Sequence, residues 1–265
     1  MNLKEKMQEH KDIKQVTKNP KALNSVKKQT KKVIFAAFRK FGTLVIPAIH
    51  NLTVELYEEL EKYSERNYGK EVFPCIPEEK LTEELCLAAI KNSILFFDDI
   101  PQKHKTYKVW LEYIKRFGTR INKVPKQFRT AELCLAAVQN DAGALFYVPE
   151  ELHTNELYEA ALETNGNERY RSQRINLLQY MPKQTAEICL RAVKQNGMAL
   201  KDAKFKCEEI CLAAVKENGL ALQFVENQTK EICFEAVDEN RKALMYIKDN
   251  DIAQLAALYA NSRAE

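Results

Sequence analysis

The sequence predicts an all-α fold: an α-solenoid of about ten short helix–turn–helix repeats, each of roughly 22–31 residues, closed by a C-terminal capping helix. Three observations predict it. A phrase recurs at a short period, its apolar positions fall at helical spacing, and Asn-Gly pairs and prolines punctuate it at regular places. A short strict period marks units that hide their apolar faces only by stacking on neighbours.

The clearest copies open at Thr185, Cys207, Thr229 and Asp251, so three consecutive units have one length. Upstream, the phrase opens at Thr154, Thr130, Thr106, Thr82, Thr53 and Thr30. The units opening at Thr82, Thr106 and Thr130 are equal and slightly longer than the clear copies, and those opening at Thr53 and Thr154 are the longest. The segment Lys21–Thr30 reads like Leu220–Thr229, so a truncated unit comes first. Residues 1–80 thus hold degenerate repeats, 81–250 clear ones and 251–265 the capping helix, whose centre is near Ile252–Ala260. No linker-like tract interrupts the array, and 1–265 reads as a single domain.

Local chemistry predicts each element in turn. The opening Thr can accept a hydrogen bond from a free N–H of the first turn, so it is a helix N-cap. Counting it as zero, positions 3, 4, 7 and 8 are apolar: Leu133, Cys134, Ala137 and Val138 in one unit, Ile232, Cys233, Ala236 and Val237 in another. That spacing makes one stripe on an α-helix. Asn165-Gly166, Asn196-Gly197 and Asn218-Gly219 are expected to stop this helix through a left-handed glycine. A shorter apolar run follows, such as Ala221–Val225, and is expected to be the second helix. Six units then end in an apolar residue and proline, at Pro47, Pro77, Pro101, Pro125, Pro149 and Pro182, where the helix cannot continue.

Segments such as Ile210-Cys211-Leu212-Ala213-Ala214-Val215-Lys216-Glu217-Asn218-Gly219-Leu220-Ala221-Leu222 resemble an uncharacterised bacterial and viral helical-repeat family, known only as a domain of unknown function. The resemblance runs from about Thr82 onward and is loose from Asp12 to Lys80. It implies a repeat scaffold, often in microbes that interact with host cells. It implies no reaction and supplies no site residues.

Composition bounds the rest. At 45% hydrophobic and 29% charged, the chain has the balance of an ordinary water-soluble globular protein. Met1–His10 lacks the apolar core of a signal peptide. The most apolar window, Val33–Leu52, is broken by Arg39, Lys40, Pro47 and His50, and falls short of the ~20 apolar residues of a membrane span. A cytoplasmic protein with no membrane association is expected, with delivery into a host cell left open. Cys86, Cys134, Cys189, Cys211 and Cys233 all occupy position 4, where other units put Ile34, Tyr57, Trp110 and Tyr158. A position that exchanges Cys for such residues wants apolar bulk. Cys207 and Cys211 are one helical turn apart with no histidine nearby, too few for the ~4 ligands of zinc.

No phosphate-binding glycine loop, His-Glu-x-x-His or Gly-x-Ser-x-Gly motif is present. The histidines His10, His50, His104 and His153 are scattered, and the last two are expected in exposed turns. Asp98-Asp99 reads as an exposed polar edge. We expect no enzyme, no cofactor and no bound metal.

Charge is polarised. Residues 1–40 carry twelve Lys/Arg against three acids, and residues 102–129 carry nine against Glu112 alone, while the whole chain is only +4. Position 2 is Glu in seven units, where the helix dipole favours it, but Lys32 and Lys108 replace it in the two basic segments. The unit opening at Thr154 is the longest, and its extra residues carry Arg169, Tyr170, Arg171 and Arg174. Insertions in repeat arrays emerge as loops on one face, and Arg and Tyr are enriched at binding hot spots.

Two functions follow as expectations. The first is a non-catalytic scaffold binding a protein or peptide partner through an extended surface, with Arg169, Tyr170, Arg171 and Arg174 as candidate contacts. The family resemblance adds a variant of this expectation, a microbial factor delivered to, or acting on, a host or rival. The alternative is nucleic-acid or polyanion binding through Lys27, Lys28, Lys31, Lys32, Arg39, Lys40, Lys108, Lys115, Arg116 and Arg120. Phe35, Phe38, Phe41 and Trp110 could stack on bases, but the repeat pattern assigns most of them to the core.

Overall fold

Eight threonines stand at helix starts where the sequence places them. In a computed structural model describing residues 2–167 and 174–262, Thr30, Thr53, Thr82, Thr106, Thr130, Thr154, Thr185 and Thr229 each accept a hydrogen bond from the N–H three residues on, at 3.2–3.5 Å. Cys207 holds the same position without a side-chain cap bond. Among the described residues every regular element is a helix, α or 3-10.

The chain divides into two compact units, Met1–Tyr113 and Ile114–Glu265, at a place where the sequence reading draws no boundary. The first holds α1 (Leu3–Val16), α2 (Lys31–Phe41), α3 (Val54–Tyr68), α4 (Glu83–Asn92) and α5 (Phe96–Asp99), and α6 (Tyr107–Ile114) ends at the division. Its core is aromatic. Phe73 bridges Tyr57 at 6.2 Å and Phe96 at 5.4 Å, and Phe97 stacks on Tyr113 at 3.7 Å.

The second unit holds α7 (Ala131–Asn140), α8 (Asn155–Gly166), α9 (Ala186–Gln195), α10 (Glu208–Glu217), α11 (Lys230–Glu239) and α12 (Asn250–Ser262), each packed on the next in chain order. Their apolar stripes are buried as the spacing predicts: Leu133, Cys134, Ala137 and Val138 in α7, and the equivalent four residues in α9, α10 and α11.

Four expectations need correction. The second helix of the repeat is a six-residue 3-10 turn in its regular form, as at 118–123, 142–147, 197–202, 219–224 and 241–246. So short a run is too brief to favour α-helical nucleation. Asn165-Gly166, Asn196-Gly197 and Asn218-Gly219 do not use a left-handed glycine; that conformation appears instead at Gly69, which caps α3 with φ 59°. Asn196, Asn218 and Asn240 are extended, and each side-chain oxygen accepts the N–H two residues on, at 3.0–3.1 Å, starting the 3-10 turn. Pro47 lies inside the 3-10 turn 42–48 and does not end it. Finally, α12 opens at Asp249, not Asp251, because Asp249 Oδ1 accepts from the N–H groups of both Asp251 and Ile252.

The glycines that open three of these turns, Gly118, Gly197 and Gly219, are there for a packing reason. A Cβ at Gly118, Gly197 or Gly219 would lie closer than 3.0 Å to the carbonyl oxygen of Ala137, Ala214 or Ala236 in the next α-helix. Each of those alanines is position 7 of its unit. At these three turns the backbone presses so closely onto the neighbour that glycine alone fits, while the turns at 142–147 and 241–246 open with Ala142 and Arg241.

The units opening at Thr53, Thr82, Thr106 and Thr130 carry an addition. Pro77, Pro101, Pro125 and Pro149, at φ between −56° and −61°, start short 3-10 turns at 78–80, 102–104, 126–128 and 150–152. In the units opening at Cys207 and Thr229 the chain runs from an apolar residue, Val225 or Ile247, to the next cap without such a turn. The proline-started turn is what makes the units at Thr82, Thr106 and Thr130 longer.

The close approach gives a direct test. Gly219→Ala is expected to lower stability by roughly 1–3 kcal/mol, the usual cost of overfilling a packed contact. Urea denaturation measures it, and an unchanged midpoint would show that the turn can move off α11.

Candidate interaction surfaces

Side chains at the joints between repeats are consumed by the backbone. Gln184, just before the cap of α9, donates its amide to Leu178 O and Asp202 O at 3.0 Å each and accepts the N–H of Lys204 at 2.8 Å. Gln228 repeats this with Leu222 O, Tyr246 O and Lys248 N, and Gln29 does so with Leu23 O, Ala48 O and His50 N. Arg129 and His153, at the same position before Thr130 and Thr154, do part of the same work. Arg129 donates to Val124 O and Asn122 O at 2.8 and 3.0 Å. His153 donates its Nε2–H to Val148 O at 3.1 Å, with Nδ1 3.1 Å from Tyr158 Oη. His153 is therefore buried, not exposed as expected, and His104 also has its Nε2 buried. At these five joints a polar side chain satisfies carbonyls of the turn, whereas Leu52 and Leu81 hold the same position before Thr53 and Thr82.

The cysteines at position 4 are all buried, while Cys207 is exposed. Burial pushes the Cys86 and Cys134 thiols up to about 11, which favours the unreactive thiol. Among the described residues no three His, Cys, Asp or Glu side chains gather as metal ligands.

The insertion in the long unit yields one described candidate. Arg169, Tyr170 and Arg171 lie outside the described residues. Arg174 spends its guanidinium on Gln195 O at 3.4 Å and Gly166 O at 3.2 Å, tying the ends of α8 and α9 together.

Of the basic candidates, three lysines already have carboxylate partners. Lys28 meets Glu5 at 3.3 Å, Lys31 meets Glu59 at 2.5 Å and Lys108 meets Glu83 at 3.3 Å, in pairs exposed enough to add little stability. Lys27, Lys40, Lys115, Arg116 and Arg120 are exposed. Arg116 borders a cavity of about 350 Å³ with Thr119, Asn140, Asp141, Thr164 and Asn165. The side chains of the last four already hydrogen-bond backbone groups such as Gly118 N, Gly143 N, Ala160 O and Ile175 N. That leaves the cavity little free polarity with which to select a ligand.

The structure does gather Lys31, Lys32 and Arg39 on one face of α2. With Phe35 and Ala36 of the same helix, Ile13 of α1 and Glu59 of α3, they line a groove of about 740 Å³. Phe38 and Trp110 are core residues, as the repeat pattern predicts, but Phe35 at position 5 is only half-buried and forms the groove floor. Its ring meets Tyr63 edge-on at 6.0 Å, and the Arg39 guanidinium lies 5.8 Å over the same tyrosine ring. No acid stands in the first turn of α2. Two lysines at the positive end of a helix cost about 0.3–1 kcal/mol each. Lys31 is offset by Glu59, and Lys32 has no ion-pair partner among the described residues.

A buried acid lies elsewhere in the same unit. Glu61 of α3 is 2% exposed, and its carboxylate accepts the Val72 N–H at 3.0 and 3.2 Å, holding the loop after Gly69. Burial raises its pKa above the ordinary 4.5, against the lowering effect of the Val72 and Phe73 N–H groups.

Residues 207–251, which span α10, α11 and the opening of α12, match a family described only as a domain of unknown function (DUF4116). No curated protein and no solved structure matches the chain.

The raised pKa sets a pH dependence. A group that folding makes harder to ionise contributes stability below its unfolded pKa and loses it as pH rises through the folded one. Glu61→Gln keeps an acceptor for Val72 without the charge. The melting temperature of the wild type should therefore fall relative to Glu61→Gln as pH rises from 4.5 upward. A difference that stays constant from pH 4 to 8 would show that burial does not perturb this carboxyl.

Proposed function

We propose that the protein is a non-catalytic interaction scaffold, an α-solenoid that receives a protein or peptide on its outer helix face. The α2 groove carries this reading: an apolar floor left open beneath a basic rim, in a fold whose joint side chains are otherwise committed to its own backbone. The order of packing in the second unit, each helix on the next, supports the stacked-repeat architecture. Exposed apolar surface rimmed by charge is the usual mark of a contact site.

A second reading, polyanion binding, draws on the same Lys31, Lys32 and Arg39 cluster. Glu5, Glu59 and Glu83 weigh against it, since each occupies a lysine that would otherwise meet phosphate. The two readings differ in salt dependence, because phosphate binding releases counterions and weakens steeply with salt.

Affinity capture from a native lysate, with and without nuclease, tests the proposal. The expected result is a defined protein that survives nuclease and is lost when Lys32→Glu and Arg39→Glu are introduced together. Recovery abolished by nuclease would replace the scaffold reading with the polyanion one.

A further inference from the structure

Resting on the scaffold reading, we infer that the α2 groove receives an acidic amphipathic helix, with an apolar side chain on Phe35 and Ala36 and carboxylates at Lys32 and Arg39. The groove residues of α2 are Lys31, Lys32, Phe35, Ala36 and Arg39, at i, i+1, i+4, i+5 and i+8. At 1.5 Å per residue they span about 12 Å along the helix, a little over two turns. The two lysines stand at one end, the arginine at the other and the apolar pair between them. The complement of that order is acid, apolar residue, acid, with the acids about two turns apart on one face. Helices that dock in grooves present such i, i+4, i+7 anchors.

The chain's own Glu59 shows that the site accepts a carboxylate, since it already holds Lys31 at 2.5 Å from the α3 wall. Lys32 and Arg39 are left for the partner. Arg39 lies over the Tyr63 ring, which orients its guanidinium; a guanidinium so placed can take a carboxylate through two parallel N–H bonds. A bare phosphate chain would use the rim but gain nothing from Ile13, Phe35 and Ala36, and it would meet the Glu59 charge.

The test is fluorescence anisotropy of the full chain with a labelled four-turn helical peptide of Glu, Ala and Leu carrying that acid–apolar–acid order. Controls are a peptide of the same composition in scrambled order, its Lys-for-Glu counterpart, and an oligothymidylate. The ordered peptide should bind best. Lys32→Glu with Arg39→Glu should weaken it about tenfold or more, and Phe35→Ala severalfold, as expected for contacts at the centre of an interface. Glu59→Gln should tighten it by freeing Lys31. Far-UV circular dichroism keeps folding losses separate, and Glu59→Gln, predicted to gain affinity, cannot be mistaken for one. Equal binding of ordered and scrambled peptides, or oligothymidylate binding indifferent to Phe35→Ala, would overturn the inference in favour of a general anionic surface. If no peptide binds, the groove is not the docking site. The scaffold reading would still stand or fall on lysate capture with a partner seated elsewhere.

Discussion

Everything in the repeat depends on how the 3-10 turn closes against the next α-helix. A turn this short leaves most of its carbonyls and N–H groups without partners inside the turn, and buried backbone groups must be satisfied. The chain solves this twice over. Asn196, Asn218 and Asn240 satisfy the start of the turn locally. Gln184 and Gln228 then connect its end to the preceding turn and to the inter-unit loop. A lysine after two of these turns adds a further tie, Lys204 to Pro182 O at 2.6 Å and Lys248 to Val225 O at 2.9 Å. Each tie reaches from one unit into the next, so together they favour a fixed unit length. Once they are made, Gly197 and Gly219 can rest on Ala214 and Ala236, and the apolar stripes close on one another.

Much of this was legible in the sequence. Caps at threonine and apolar positions 3, 4, 7 and 8 depend on local rules, and both appear where the spacing puts them. The 3-10 character of the second helix was not legible, because so short an apolar run serves either helix type. Nor was the role of glycine. Its freedom of φ suggested a left-handed cap, whereas the deciding fact is a carbonyl oxygen in the following α-helix, as for Gly219 and Ala236. The glutamine before the cap was visible at Gln29, Gln184 and Gln228 and could have been noticed as a recurring polar residue with no exposed role. His153 is buried for that reason: it fills the glutamine's place.

The surface follows a similar division. Sequence charge counts identified the basic segments but not their pairing, since Glu5, Glu59 and Glu83 come from other helices. Nor did they single out Phe35, which the core positions 3, 4, 7 and 8 leave out. Its position 5 lies beside the stripe, and helical periodicity alone could have moved it to the face that carries Lys31 and Arg39. What sets α2 apart is the combination of an open apolar floor with cations at the helix end that disfavours them. An anionic partner would relieve that cost, so the local instability and the proposed contact have one origin.

The measurement that bears most directly on this account is native-state hydrogen exchange at the inter-unit turns. The N–H groups of Lys204 and Lys248 lie in loops and have no helical partner; their acceptors are the side-chain oxygens of Gln184 and Gln228. If the glutamine ties hold the repeats in register, both amides should be protected to a degree comparable with the middle of α10. Exchange at the rate of an open loop would contradict the account, leaving packing of the apolar stripes to set the register alone.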